Sequence, residues 1–372
     1  MTVKGWCPGA WRPMRAEDGL ILRIRPPGGR LNADQALGLA ALARAHGLAR
    51  FSLTSRANLQ LRGVALEQHA PLLDGLAALE LLDADERRER ARNIIVTPFW
   101  RAGEGTLELA GALADALPEF PPLPGKFGFA VDTGARPVLG EVSADIRLER
   151  DAAGRLLVRA DGAAAGEIVT EASAIPALLR LARWFLESGG APGGRGRMRG
   201  HLAAGHGPPR AQAAPAEAAA PAVPGRCEGG MLVGFAFGEM DGKALARLAE
   251  MAPEIRLTPW RAVFLPGMET PPEMAGAILD PDDPMRRVFA CTGAPRCAQA
   301  HAPVRGLAAG LAAHLPAGAS LHVSGCGKGC AHPAPADFTL VAGRDGFTLN
   351  GASTGLDPAE LLRHPGEIFG TK

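Results

Sequence analysis

The sequence predicts a duplicated protein of mixed strands and helices, and three features point to it. At 372 residues, 47% of them apolar, the chain is too long for one small core, so two domains or a repeated unit is expected. Residues 188–225 are mostly Gly, Ala and Pro; such a stretch has little to bury and reads as a flexible linker. Residues 50–64, RFSLTSRANLQLRGV, align without a gap with residues 254–268, EIRLTPWRAVFLPGM. The two share Leu53/Leu257, Thr54/Thr258, Leu61/Leu265 and Gly63/Gly267. Each follows a strand-like run and an amphipathic helix: GLILRIRP and ADQALGLAALARAHG in one half, GGMLVGFAFG and GKALARLAEMA in the other.

Taken in order, the first-half strands carry a polar face. In LILRIRP, Arg23 and Arg25 alternate with Leu22 and Ile24. In NLQLR, Asn58, Gln60 and Arg62 alternate with Leu59 and Leu61. A period of two sends the apolar residues to one side and the polar ones to the other. Such a face is either a solvated sheet surface or one presented to an anionic, hydrogen-bonding ligand. The run AIPALLRLARWFL carries two arginines and reads as an amphipathic helix; no uninterrupted apolar run reaches membrane length. The opening MTVKGWCPGAWRPMR lacks the apolar core of a signal peptide, so a cytoplasmic protein away from membranes is expected. The net charge of +1 argues against a general nucleic-acid surface.

Four of the six cysteines come in two tight pairs, Cys291 and Cys297 in CTGAPRC and Cys326 and Cys330 in GCGKGC. In a reducing compartment clustered thiols bind metal more often than they form disulfides. C-x5-C followed by C-x3-C departs from the short knuckles usual for zinc, and four thiolates also suit an iron–sulfur cluster. Gly293, Gly325, Gly327 and Gly329 let the backbone wrap a bulky group. Cys7 and Cys227 read as ordinary thiols, with Cys7, in WCPG, placed to reach the site.

This cysteine pattern, late in a duplicated chain, resembles the ferredoxin-dependent nitrite and sulfite reductase family. Three further motifs carry the resemblance: LTSRANLQLRG, RARNIIVTP and PPLPGKFGFAVD. It implies an α+β fold with pseudo-twofold symmetry. Ferredoxin-like halves at 15–80 and 226–285 would pair, and mixed α/β segments at 86–187 and 286–372 would enclose a [4Fe–4S] cluster, joined by the 188–225 linker. It also implies that Cys291, Cys297, Cys326 and Cys330 hold the cluster, that Arg56, Arg92 and Lys126 are catalytic, and that Asn93 joins Arg23, Arg25, Asn58, Gln60 and Arg62 in substrate binding. Where the family has a second basic residue after the Lys–Phe pair, this chain has Gly128.

Within the family, CPGAWRPMRAEDGLILRIRPPGGRL, CTGAPRCAQAHAPVRGLA and LHVSGCGKGCAHPAPADFTLV are similar to the branch acting in aerobic cobalamin synthesis. That branch takes precorrin-3A and dioxygen as substrates, hydroxylates the macrocycle at C20 and closes a ring-A acetate onto C1 as a γ-lactone. The resemblance implies a [4Fe–4S] cluster, a mononuclear non-haem iron, no bound sirohaem, and electrons from NADH or a reductase partner. Non-haem iron sites often use two His and a carboxylate; His301, His322 and His332 are nearest the cysteines in sequence. Arginine binds carboxylates in a bidentate fork, which suits a polycarboxylate substrate. The rival readings are a sirohaem-dependent nitrite or sulfite reductase, and a non-catalytic iron–sulfur electron carrier.

Overall fold

The computed structural model describes residues 7–332 and 334–370. The first half comprises β1 (Met14–Ala16), β2 (Gly19–Ile24), β3 (Arg30–Asn32), α1 (Ala33–Ala45), β4 (Arg50–Leu53), β5 (Leu59–Val64), α2 (His69–Ala78) and α3 (Glu86–Ala91). Then come β6 (Ile94–Val96), α4 (Thr106–Ala116), β7 (Phe129–Asp132), β8 (Ile146–Arg150), β9 (Leu156–Ala160), β10 (Glu167–Val169), α5 (Glu171–Glu187) and α6 (Met198–Ala203). The second half comprises β11 (Gly225–Cys227), β12 (Gly230–Phe235), β13 (Glu239–Asp241), α7 (Gly242–Met251), β14 (Glu254–Leu257), β15 (Ala262–Pro266) and β16 (Ala277–Ile278). The last segment holds β17 (Val288–Ala290), α8 (Arg305–Ala312), β18 (Leu321–Ser324), β19 (Phe338–Gly343), β20 (Gly346–Leu349), β21 (Ser353–Leu356), α9 (Pro358–Arg363) and α10 (Gly366–Phe369).

The repeat read in the sequence is a repeat of structure, and each shared residue has a physical job. Leu61 and Leu265 are fully buried in matching strands, as Leu53 and Leu257 are nearly so. Thr54 Oγ1 accepts from the amides of Arg56 and Asn58, and Thr258 Oγ1 accepts from Trp260 and donates to Ala262 O. Each Thr thus ties its strand–strand turn from within. Gly63 and Gly267 both adopt positive φ, 78° and 73°, where a Cβ is strained. α1 and α7 start on equivalent caps: Asn32 accepts from Gln35 N, and Asp241 from Ala244 N, each at 2.7 Å.

The halves exchange strands. One sheet runs β1-β2-β5-β4-β13 and the other β11-β12-β15-β14-β3. So β13 of the second half pairs with β4, and β3 of the first half pairs with β14, both antiparallel. α1 and α7 pack on each other, and one continuous apolar core runs through both halves, with Leu22, Ile24, Leu39, Phe51, Leu245, Leu248 and Ile255 at its centre. The two α/β segments also match. In each, three parallel strands are followed by two antiparallel ones, β6-β7-β8-β9-β10 and β17-β18-β19-β20-β21. The α+β, pseudo-twofold architecture expected from the sequence is therefore present.

The composition of residues 188–225 predicts a flexible linker, and here the structure corrects the sequence. The segment contains α6, whose first amide, Met198 N, donates to the buried Asp145. It then forms isolated bridges at Ala213 with Gly166 and at Pro215 with Asp151. Few but well-placed side chains hold it: Met198 is fully buried, and Arg197, Arg199 and Arg210 pair with Asp145, Asp161 and Glu167. Composition averages hide such isolated anchors.

Candidate functional site

Cross-strand register builds one polar row on the first sheet. Arg23 lies opposite Gln60, Gln60 opposite Ser52, and Ser52 opposite Glu239 of the exchanged strand. Arg23 Nη2 donates to Gln60 Oε1 at 3.4 Å. Arg62 and Asn58 flank Gln60 on the same strand face, while Leu22, Ile24, Leu59 and Leu61 are buried beneath. The pseudo-equivalent row on the second sheet runs Leu232, Phe264, Arg256 and Arg30, so its first two positions are apolar and its last two are arginines. By register and by the 50–64/254–268 alignment, Arg23 becomes Leu232, Asn58 becomes Ala262, Gln60 becomes Phe264 and Arg56 becomes Trp260. That face is filled: Phe99 packs on Phe264 and Trp260 with ring centroids 5.0 and 5.9 Å away. The duplicated frame therefore replaces Arg23, Gln60, Asn58 and Arg56 of one face by apolar residues on the other, where Arg256 stacks over Trp100 and Phe264.

Arg56 projects from the β4–β5 turn and is almost wholly buried. Its Nη2 donates to Lys126 O at 2.9 Å and to Ser143 Oγ at 3.4 Å; its Nη1 has no partner among the described residues. Burial pulls its pKa below the ordinary arginine value. Gly128 makes this pose possible, since a Cβ there would lie 3.0 Å from Asn93 O and 3.1 Å from Arg56 Nη1. Asn93 braces the same loop, its Nδ2 donating to Phe127 O and Arg90 O. Below the loop, Asp145 is fully buried and accepts from Gly128 N, Met198 N and Arg197 Nε. Arg197 also donates to Ser143 Oγ at 2.9 Å, so Ser143 links two guanidiniums. Lys126 is half-buried, and its ammonium has no partner among the described residues.

Three predicted site arginines are engaged by the protein itself. Arg92, expected at the reacting centre, donates from Nε and Nη2 to Asp83 at 2.8 Å and from Nη2 to Arg25 O at 2.7 Å. That forked pair makes it a brace of the pocket wall. Arg25 donates to Glu89 O and Pro8 O, and burial lowers its pKa to about 10. Arg62 pairs with Asp18 at 2.6 Å and donates to Arg296 O, which lies in the loop between Cys291 and Cys297. This contact seats the cysteine loop against the polar sheet face.

Burial raises the Cys330 thiol, and Cys326, Cys291 and Cys297 raise it further against a lowering by Lys328, so the other three clustered cysteines lie within electrostatic range of Cys330. None is in a disulfide. Gly325 N donates to Cys291 Sγ at 3.2 Å, and a Cβ at Gly325 would lie 2.6 Å from Ala300 Cβ and 3.5 Å from that sulfur. An all-thiolate donor set with amide support and crowded like charge suits the [4Fe–4S] cluster that the resemblance implies. The histidines differ. His322 is buried on β18, and its Nε2 has no partner among the described residues. His332 stacks on Phe289 at 3.9 Å, with its ring 6.1 Å from His322, and His301 is exposed. Among the described residues no three His, Cys, Asp or Glu side chains are grouped to hold a single metal ion. His301, His322 and His332 thus form no ready ligand set for a mononuclear iron.

Residues 12–79 match the nitrite/sulfite reductase ferredoxin-like half domain. A precorrin-3B synthase from Sinorhizobium is 31% identical over 96% of this chain and 85% of its own length. The chain belongs to the precorrin-3B synthase family. A ferredoxin–nitrite reductase from Synechococcus elongatus is 27% identical over 93% of the chain and 81% of its own length. The structure of Mycobacterium tuberculosis NirA superposes with a TM-score of 0.60 at 16% identity, covering 89% of this chain and 73% of that one. It shares the fold. No helix among the described residues is long and apolar enough to cross a membrane. For this member of the precorrin-3B synthase family, sequence reasoning missed Ser143, Asp145 and Arg197. Only the arginines of GRGRMRG, charged residues among glycines, hinted that the low-complexity segment reaches the site.

Proposed function

We propose that this chain is a precorrin-3B synthase acting in aerobic cobalamin synthesis. It takes precorrin-3A, places one atom of dioxygen at C20 as a hydroxyl, and lets the ring-A acetate close onto C1 as a γ-lactone. The second oxygen atom leaves as water, using two electrons and two protons. The observation that carries the reading is the 31% identity to a precorrin-3B synthase over 96% of the chain. The polar face supports it: a substrate with many carboxylates needs several cations on one wall, and Arg23, Arg56 and Lys126 stand there with N–H groups not fully used. Asn58 and Gln60 add hydrogen-bonding side chains to that wall, while Arg25, Arg62, Arg92 and Asn93 hold its shape. Cys291, Cys297, Cys326 and Cys330 would hold a [4Fe–4S] cluster, which would supply electron transfer from NADH or a reductase. No step is assigned to a mononuclear iron.

Reduction of a small oxyanion on sirohaem fits less well. The nitrite reductase relative is the more distant of the two, and any side chain at Gly128 would press its Cβ to 3.0 Å from Asn93 O and 3.1 Å from Arg56 Nη1. The test is turnover of anaerobically purified, iron-replete protein given precorrin-3A, a reductant and ¹⁸O-labelled dioxygen. Mass spectrometry is expected to show a product with one added, labelled oxygen. Bound sirohaem with consumption of nitrite or sulfite, and no oxygenated tetrapyrrole, would overturn the proposal.

A further inference from the structure

The exchanged strand β13 meets two parts of the molecule at once. Its first residue, Glu239, lies opposite Ser52 at the end of the polar row, and Ser52 Oγ donates to Glu239 Oε1 at 3.4 Å. Glu239 Oε2 is paired with Nη1 of Arg305, the first residue of α8. Arg305 in turn donates from Nε to Cys291 O at 3.1 Å, and Gly325 N donates to the sulfur of that cysteine. One carboxylate and one guanidinium therefore join the polar row to the backbone of a clustered cysteine. The pair is sheltered: the Glu239 side chain is 9% exposed and that of Arg305 23%. Phe237, just before β13, packs into the core of the last segment and holds its ring 5.6 Å from the Arg305 guanidinium. Arg50 also reaches Glu239 Oε2, but at 3.9 Å and with half of its side chain in solvent.

The duplication supplies a comparison. On the other exchanged strand, the place of Glu239 is taken by Arg30, opposite Arg256, and α4, the counterpart of α8, begins with Thr106. An arginine and a threonine cannot form such a pair, and residues 86–187 contain no cysteine. The pair stands in the half of the frame that carries the clustered cysteines. We propose that Glu239 and Arg305 are a charge couple that positions Cys291 and sets the reduction potential of the cluster. The inference rests on the reading that Cys291, Cys297, Cys326 and Cys330 hold a [4Fe–4S] cluster. Both residues act through Cys291, so they are positioning residues. A cluster that takes up one electron gains one negative charge, which a nearby cation favours and a nearby anion opposes. Arg305 brings a cation to Cys291, and Glu239 offsets it. Because both are sheltered from solvent, dissolved salt screens them little. The carboxylate that offsets Arg305 also ends the polar row, so the substrate wall and the cysteine loop share one residue.

The full chain is prepared anaerobically with iron and sulfide, and its cluster content is read from iron, acid-labile sulfide and visible absorbance. The midpoint potential is then measured by a mediated redox titration followed by electron paramagnetic resonance. Glu239→Gln keeps the side-chain shape and the Ser52 contact but removes the negative charge, so the potential is expected to rise. Arg305→Gln removes the positive charge, so the potential is expected to fall. Each shift is expected to change the ratio of reduced to oxidised cluster at a fixed potential by at least about threefold, which is about 28 mV at 59 mV per tenfold for one electron. The double variant is expected to lie between the two single variants. Arg305→Lys, which keeps the charge, is expected to lie closer to the native protein than Arg305→Gln. Packing alone would give loss of the cluster from both single variants or shifts of the same sign, and either result overturns the couple. So do shifts below about threefold at full cluster content. If the native protein takes up no iron–sulfur cluster, the cluster reading itself falls, and the couple with it.

Discussion

Replacing Asp145 by Asn would test whether the low-complexity segment is part of the site. The carboxylate is fully buried and accepts four hydrogen bonds: from Gly128 N at 2.9 Å, Met198 N at 2.8 Å, and Arg197 Nε at 2.8 and 3.1 Å. An Asn of the same shape turns one acceptor oxygen into a donor. Whichever way the amide lies, one buried backbone N–H meets another N–H, a loss of about 1–3 kcal/mol. The charge-assisted bond to Arg197 is lost as well. Arg197 is 35% exposed and partly rehydrates, so the whole change comes to about 3–5 kcal/mol. Arg197→Met should cost less, about 1–3 kcal/mol, because Asp145 keeps its two backbone donors. Urea unfolding measures the stability. Trypsin measures the local effect, because Arg195, Arg197, Arg199 and Arg210 are its sites within the segment. Asp145→Asn is expected to speed nicking there well before global unfolding. A change under about 1 kcal/mol, with unchanged nicking, would refute the anchoring role.

Three further outcomes are expected. Arg56→Gln should lower kcat/KM for precorrin-3A by about 10–100-fold, the loss of one charge-assisted contact, with native circular dichroism, and Arg56→Lys should recover only part of it. Cys297→Ser, and equally Cys330→Ser, should strip iron and acid-labile sulfide together and remove the visible iron–sulfur absorbance, whereas Cys227→Ser should retain both. Asp132 is buried, which raises its pKa to about 6, although Val138 N and Leu139 N donate to it. The folded protein then holds this proton more tightly than the unfolded chain, so stability should fall as pH rises from about 4 to 6, by up to about 3 kcal/mol. Asp132→Asn should flatten that part of a Tm-against-pH curve relative to the native protein.

Features with a short period or a fixed offset were legible in the sequence. The alternation in LILRIRP and NLQLR gave the polar sheet face, because side chains on a strand must alternate. The 204-residue offset linking Thr54 to Thr258 and Gly63 to Gly267 gave the duplication, because the same turn needs the same residues. What stayed hidden depends on partners distant in the chain or chosen by packing. Nothing near Arg92 in the motif RARNIIVTP announces that its guanidinium is taken by Asp83. A single buried methionine and a few arginines tether residues 188–205, and composition dilutes them among glycines and alanines. Nor did the sequence show that the second half's matching face is closed by Phe99, a residue of the first half.

The exchange of β3 and β13 has a consequence for where the chain can be divided. Neither half owns all the strands of its own sheet, so a single half made alone would leave an unpaired edge and an uncovered helix face. A protomer of that kind would persist only by embracing a second copy of itself. In such a symmetric pair every groove would occur twice, and a useful change in one would be forced on the other. Joining the copies end to end frees them to diverge: one groove can stay wet and charged while its twin is sealed into mortar for the shared interior. A break in the backbone near residues 206–212 should therefore yield two fragments that reassemble, each completing the other's sheet.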